Sequence, residues 1–124
     1  MDDEESILDS FGKLLKMNGF VVYAACNGEQ AVDLYQQALS SKRKVDVAVI
    51  DLSIPDGMGG LETIVRLKEI DPDVRAIATT GHFQDGLAFE YKKYGFFMFL
   101  PKPYVLDELL NAIERVIRME KNFP

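Results

Sequence analysis

The sequence predicts an α/β domain, an open parallel sheet covered on both faces by helices, and three observations carry that prediction. Short apolar, β-rich runs alternate with amphipathic helical patterns along the 124 residues. The run at residues 45–50 is nearly continuously apolar, as a strand buried on both faces requires, and it delivers a carboxylate, Asp51, to its carboxyl end. Thr80 and Lys102 fall just beyond later runs, and open parallel sheets hold their sites at the carboxyl ends of their strands.

The elements follow in order. Over residues 5–18, Ile7, Leu8, Phe11, Leu14, Leu15 and Met17 recur at three- and four-residue spacing, and Gly19 stops the helix. Residues 20–25 are short, aromatic and β-branched, which predicts a strand. Asn27-Gly28 then turns the chain into a helix carrying Ala31, Val32, Leu34, Tyr35, Ala38 and Leu39. After Asp51 comes a turn-rich stretch to Gly60, then a helix marked by Leu61, Ile64, Val65, Leu67 and Ile70 and stopped by Asp71-Pro72. Residues 74–79 form a strand, residues 85–94 a weaker helix, and residues 96–100 an aromatic strand ended by Pro101-Lys102-Pro103. The last helix starts from Asp107 as its amino-terminal cap and carries Leu109, Leu110, Ile113, Val116 and Ile117.

Composition narrows the function. The length predicts one domain, residues 1–124. A net charge of −6 argues against a grip on nucleic-acid phosphates or an anionic membrane, both of which need clustered Lys and Arg. No apolar run approaches the roughly 20 residues that span a bilayer, and the acidic amino end is unlike a signal peptide. The lone Cys26 has no partner for an intrachain disulfide or a zinc site, so it reads as a small buried hydrophobe in a reducing, cytoplasmic setting.

Asp2-Asp3-Glu4, the run Asp51-Leu52-Ser53-Ile54-Pro55, Thr80-Gly81 and Lys102-Pro103 occur in this order. Each motif alone arises easily by chance; their joint order at strand ends is specific. Through them the chain resembles the receiver domain of two-component response regulators, from Met1 to the end of the last helix. The resemblance implies a flavodoxin-like (CheY-like) doubly wound sheet. It also implies a phosphoacceptor switch in which Asp51 takes a phosphoryl group from a histidine kinase or a histidine phosphotransfer protein. Asp3, Asp51 and the backbone carbonyl of Ser53 would hold Mg²⁺, with Asp2 acting through the metal's waters. Lys102 would pair with the phosphoryl oxygens and the Thr80 hydroxyl would bond one of them. Phe99, three positions before the lysine, would be the coupled switch aromatic, and Ser53 and His82 would border the attacking water and tune hydrolysis. Such a protein catalyses only its own phosphorylation and dephosphorylation.

Blander readings stand beside these. Acidic residues at a helix start are favoured by its dipole without any metal, by roughly 0.3–1 kcal/mol each. A strand-end Thr, a lone Lys and a loop His are ordinarily unremarkable, and Phe96, Phe97 and Phe99 would by default be packing. Asp51 is the exception, because a carboxylate at a buried strand end needs a cation or donors.

Two departures from the family pattern bear on the site. Only Met1 stands where family members carry the central strand before the acidic pair, which leaves three hypotheses: a trimmed or misassigned start, closure by the neighbouring strands, or pairing supplied by another copy in a homodimer. The loop at residues 56–60 looks one residue longer than the common pattern, as in receivers attached to hybrid histidine kinases. Two rival functions remain: a degenerate receiver that binds partners without taking phosphate, and a haloacid-dehalogenase-like phosphatase. The latter needs a second Asp two positions after the nucleophile, where this chain has Ser53.

Overall fold

The computed structural model describes residues 1–54, 57–81 and 91–119. In chain order they form α1 (Glu5–Met17), α2 (Gly28–Ser40), β1 (Ala48–Asp51), α3 (Gly60–Ile70), β2 (Ala76–Thr80), a 3₁₀ turn at Tyr91–Tyr94, β3 (Met98–Pro101) and α4 (Leu106–Arg118). The strands make a parallel sheet in the order β1-β2-β3, with Asp51 opposite Thr79 and Thr80 opposite Pro101. Strand–helix alternation therefore yields the parallel sheet it predicts, and the carboxyl ends of all three strands meet along one edge.

Local chemistry sets the helix starts. Asn27 Oδ1 accepts the Gln30 N–H at 2.9 Å while Gln30 Oε1 accepts the Cys26 N–H at 2.9 Å, a reciprocal cap that opens α2. At α4 the predicted cap is corrected: the helix starts at Leu106, Asp107 lies in its first turn, and Glu108 reaches back to accept the Val105 N–H at 3.1 Å. An acidic first turn suits the helix dipole, which explains why Asp107 looked like a boundary.

Period-two alternation along β2 divides the core. Ala76 and Ala78 face a cluster with Tyr35, Ile50, Ile64, Leu67, Val74 and Phe96, under α2 and α3. Ile77 faces the other, with Leu100, Leu109, Ala112, Ile113 and Val116, under α4. Phe96 is thus the inward aromatic, and Phe97 lies under the Arg75 guanidinium, 5.6 Å from its ring centroid.

The predicted strand at residues 20–25 is corrected: the segment joins no ladder, and the run at 45–50 enters its ladder only at Ala48. The physical reason is shared, because the two segments flank a cavity of about 770 Å³ and do not pair with each other. Closure of the gap by neighbouring strands is therefore not what occurs. Among the described residues, only Met1 and Asp2 bridge it: the Met1 ammonium donates to Val49 O at 2.8 Å, Asp51 N–H to Met1 O at 3.1 Å, and Asp2 N–H to Ala25 O at 3.0 Å. Cys26, expected to be buried, is half-buried at the end of this segment. Of the weaker helix at 85–94, only the 3₁₀ turn falls within the described residues. No described helix is long and apolar enough to cross a membrane.

Candidate functional site

Three strand ends and the amino terminus build the site. Asp51, the last residue of β1, is 1 % exposed, and its two oxygens have different partners: Oδ1 accepts the Ser53 N–H at 2.9 Å and Oδ2 accepts from Lys102 Nζ at 3.1 Å. Lys102, just past β3, also donates to Asp2 Oδ2 at 2.7 Å, while Asp2 Oδ1 accepts the Glu4 N–H at 3.0 Å. Asp2 is buried and Asp3 exposed, and carboxylate oxygens of Asp2, Asp3 and Asp51 lie within 4.8 Å of one another. The bridge from Met1 to β1 and to Ala25 holds this acidic pair against Asp51.

Three carboxylates outnumber the Lys102 ammonium and the Met1 amino terminus, whose pKa burial lowers, so the pocket carries an excess of negative charge. That excess favours a cation, and an all-oxygen donor set suits a hard one. Burial works to lower the Lys102 pKa, yet the hydrogen bonds from Asp2 and Asp51 outweigh it and hold the ammonium above its ordinary value. Lys102 thus stays a cation, free to trade one anionic partner for another. Beside it, burial raises the Tyr104 phenol, which keeps the neighbouring ring neutral.

Thr80 closes the far side. Its hydroxyl lies 2.6 Å from Ser53 Oγ, so the residue two after Asp51 and the end of β2 are tied together. Gly60 lets the loop after β1 come close, since a Cβ there would meet Asp51 O at 2.8 Å. Gly57 has φ +76°, and the same loop is pinned to α2 where Glu29 Oε1 accepts the Met58 N–H at 2.8 Å. Phe99 is half-buried and packs against the cluster under α2 and α3. Asp2, Asp3, Asp51, Ser53, Thr80 and Lys102 therefore converge; His82 lies outside the described residues.

Sequence reasoning missed two groups. Thr79, directly across the ladder from Asp51, is buried, and its hydroxyl has no hydrogen-bond partner among the described residues. Glu29 acts from another element. Neither carries a local signal, because a strand Thr and a first-turn Glu are commonplace in any chain of this class.

A parallel sheet with an acidic cluster and a lysine at its carboxyl edge defines the class, and comparison with known proteins identifies the family. The family model for the response regulator receiver domain matches residues 1–114, and the chain belongs to that family. It is 29% identical over 122 residues to Sporulation initiation phosphotransferase F of Bacillus subtilis, covering 98% of this chain and 94% of that one. It is 33% identical over 115 residues to Transcriptional regulatory protein FixJ of Rhizobium meliloti, covering 93% of this chain and 53% of FixJ. Among solved structures, a receiver domain protein from Clostridium thermocellum superposes with a TM-score of 0.80 at 29% identity, over 94% of this chain and 89% of that one. The chain is a two-component receiver, a signalling switch and not an enzyme with an external substrate.

Proposed function

We infer that Asp51 is the phosphoacceptor and that the donor is a phosphohistidine on a histidine kinase or phosphotransfer protein. The observation that carries this reading is the convergence of Asp51, Asp2 and Lys102, far apart in sequence, within 3.1 Å of a shared ammonium. An Asp51 oxygen attacks phosphorus, forming an O–P bond as the P–N bond breaks, and the imidazole keeps the electron pair and takes up a proton. Each Asp51 oxygen accepts one hydrogen bond among the described residues and therefore has a lone pair left for attack.

Asp3, Asp51 and the Ser53 carbonyl would hold Mg²⁺, with Asp2 acting through a water, and the ion would supply charge neutralisation at the transferred oxygens. Lys102 turns from the carboxylates toward the phosphoryl oxygens, exchanging one charge-assisted bond for another. Thr80 leaves Ser53 to donate to the same group. Added charge of roughly −1.5 to −2 at the sheet edge is what biases Phe99 and the surrounding surface, and altered protein association is the output. Hydrolysis of the mixed anhydride, tuned by Ser53 and His82, ends the signal.

Incubation with acetyl phosphate and Mg²⁺, read by intact mass, tests this. One phosphoryl group is gained by the wild type and none by Asp51→Asn; an unmodified wild type would favour the degenerate binding module.

A further inference from the structure

Helix α2 meets the loop that follows Asp51 with its first two residues. Gly28 N–H donates to Met58 O at 3.2 Å and Glu29 Oε1 accepts the Met58 N–H at 2.8 Å, so one helix start takes both backbone groups of Met58. So close an approach requires glycine, because a Cβ on Gly28 would meet Met58 O at 2.7 Å. The Glu29 carboxylate also lies over Gly57, where a Cβ would meet Oε2 at 3.3 Å.

The other end of the loop is tied to the site itself. Ser53 donates its N–H to Asp51 Oδ1 at 2.9 Å, and its hydroxyl lies 2.6 Å from Thr80 Oγ1. Past Met58 the chain enters α3 at Gly60, whose backbone is pressed against Asp51 O. The Ser53 carbonyl therefore belongs to a short loop tied at Ser53 and at Met58, and the second tie uses a side chain from another element. A backbone ligand has no rotamer of its own to aim it. The chain on either side orients it, and any freedom left in the loop must be given up when an ion binds. Glu29 is exposed, so its bond adds little to stability; what it fixes is position.

We propose that Glu29 is a positioning residue for the cation, acting through the Met58 N–H to hold the Ser53 carbonyl in place and so raising the affinity of the site for Mg²⁺. That role rests on Asp3, Asp51 and the Ser53 carbonyl being the Mg²⁺ ligands. The bond carries the effect, and the carboxylate's charge does not.

Mg²⁺ binding is measured by isothermal titration calorimetry on the wild type, Glu29→Ala, Glu29→Gln and Tyr35→Phe, with urea unfolding of each. Glu29→Ala should bind Mg²⁺ about tenfold more weakly, the lower end of what losing a ligand-orienting partner costs, with a urea midpoint near that of the wild type. Glu29→Gln keeps an oxygen for the Met58 N–H and should bind like the wild type. Tyr35→Phe cuts a bond from the same helix to Asp71 and should lower the urea midpoint while leaving Mg²⁺ affinity unchanged. With acetyl phosphate, Glu29→Ala should gain its phosphoryl group more slowly at limiting Mg²⁺ and match the wild type at saturating Mg²⁺. Undiminished affinity in Glu29→Ala overturns the proposal, as does a deficit that saturating Mg²⁺ leaves in place. A Glu29→Gln protein as weak as Glu29→Ala would assign the effect to charge, and an equal loss in Tyr35→Phe would assign it to helix stability; either defeats the positioning role. A wild type that binds no Mg²⁺ defeats the ligand set beneath the proposal, and the proposal with it.

Discussion

Helices α1 and α4 are each 13 residues long, and each carries an apolar stripe at helical spacing, yet α4 buries Leu109, Ala112, Ile113 and Val116 while α1 buries nothing. The stripe says which face seeks cover; the sheet decides whether cover exists. Helix α4 rests on β2 and β3, which are paired, whereas Phe11 and Leu15 of α1 only half-bury against the same cluster and border the cavity beside β1. A closed, dry void costs about 24 cal/mol per Å³, so 770 Å³ would cost about 18 kcal/mol, more than the roughly 5–15 kcal/mol that holds a domain together. The cavity is therefore not a closed, dry void but opens to solvent. Helix α1 is tied down by the packing of Phe11 and Leu15 against the cluster under α4, by the Phe11 ring lying 5.2 Å from that of Tyr104, and by Lys102 binding Asp2 just before the helix.

That ionic tie gives the largest expected effect. Lys102→Met leaves the Asp2 and Asp51 carboxylates facing each other without their cation, and stripping one partner from a buried pair costs about 3–5 kcal/mol. Urea unfolding should show that loss, and added Mg²⁺ should recover more stability in the variant than in the wild type, because the pocket has become more negative. Equal Mg²⁺ gains in both proteins would separate the lysine from the cation site.

The comparison itself is tested by truncating each stripe. Val116→Ala removes methyl groups from a fully buried position and should cost about 1–3 kcal/mol, while Leu15→Ala, on the half-buried face of α1, should cost less than about 1 kcal/mol despite deleting more atoms. Equal losses in parallel urea melts would break the distinction between the two helices.

How much was legible follows the same line. Asp51, Thr80 and Lys102 were readable because an apolar run fixes where a strand ends, and strand ends converge by topology. The strand at residues 20–25 was over-read, because β-propensity reports fitness for a pleated surface and not the presence of a neighbour. The Lys102 bond to Asp2, spanning 100 positions, and the buried Thr79 hydroxyl beside Asp51 leave no local trace at all. The helix α4 cap was missed by two residues, since Asp107 and Glu108 both suit a first turn and only the geometry shows Glu108 reaching back to Val105.

A smaller effect sharpens the picture of the well-packed half. Tyr35 is buried there and its hydroxyl donates to Asp71 Oδ2 at 2.7 Å, joining α2 to the end of α3. Burial, with help from the Asp71 bond, pushes the phenol well above its usual value of 10.0. A raised acid contributes stability that is intact below the unfolded pKa and lost as pH climbs above about 10 toward the folded value. Tyr35→Phe should cost about 1 kcal/mol at neutral pH and flatten the alkaline fall in stability. Tyrosinate absorbance gives the check: one tyrosine should ionise only as the wild type unfolds, and it should be missing from the variant.

The smallest expected effect on stability concerns the switch threonine. The 2.6 Å contact between Ser53 Oγ and Thr80 Oγ1 engages the hydroxyl that the phosphorylated state would recruit, so forming that state trades this bond for one to the phosphoryl group. Ser53→Ala removes the competitor at a cost of about 0.5–1.5 kcal/mol, the net worth of one hydrogen bond. Thr80 would then move inward with less to give up, shifting the acetyl phosphate titration of Asp51 toward lower concentration by up to about tenfold. Thr80→Ala should abolish that gain in the double variant. A Ser53→Ala protein that titrates like the wild type would mean the bond survives phosphorylation, and that Ser53 and Thr80 move as one unit.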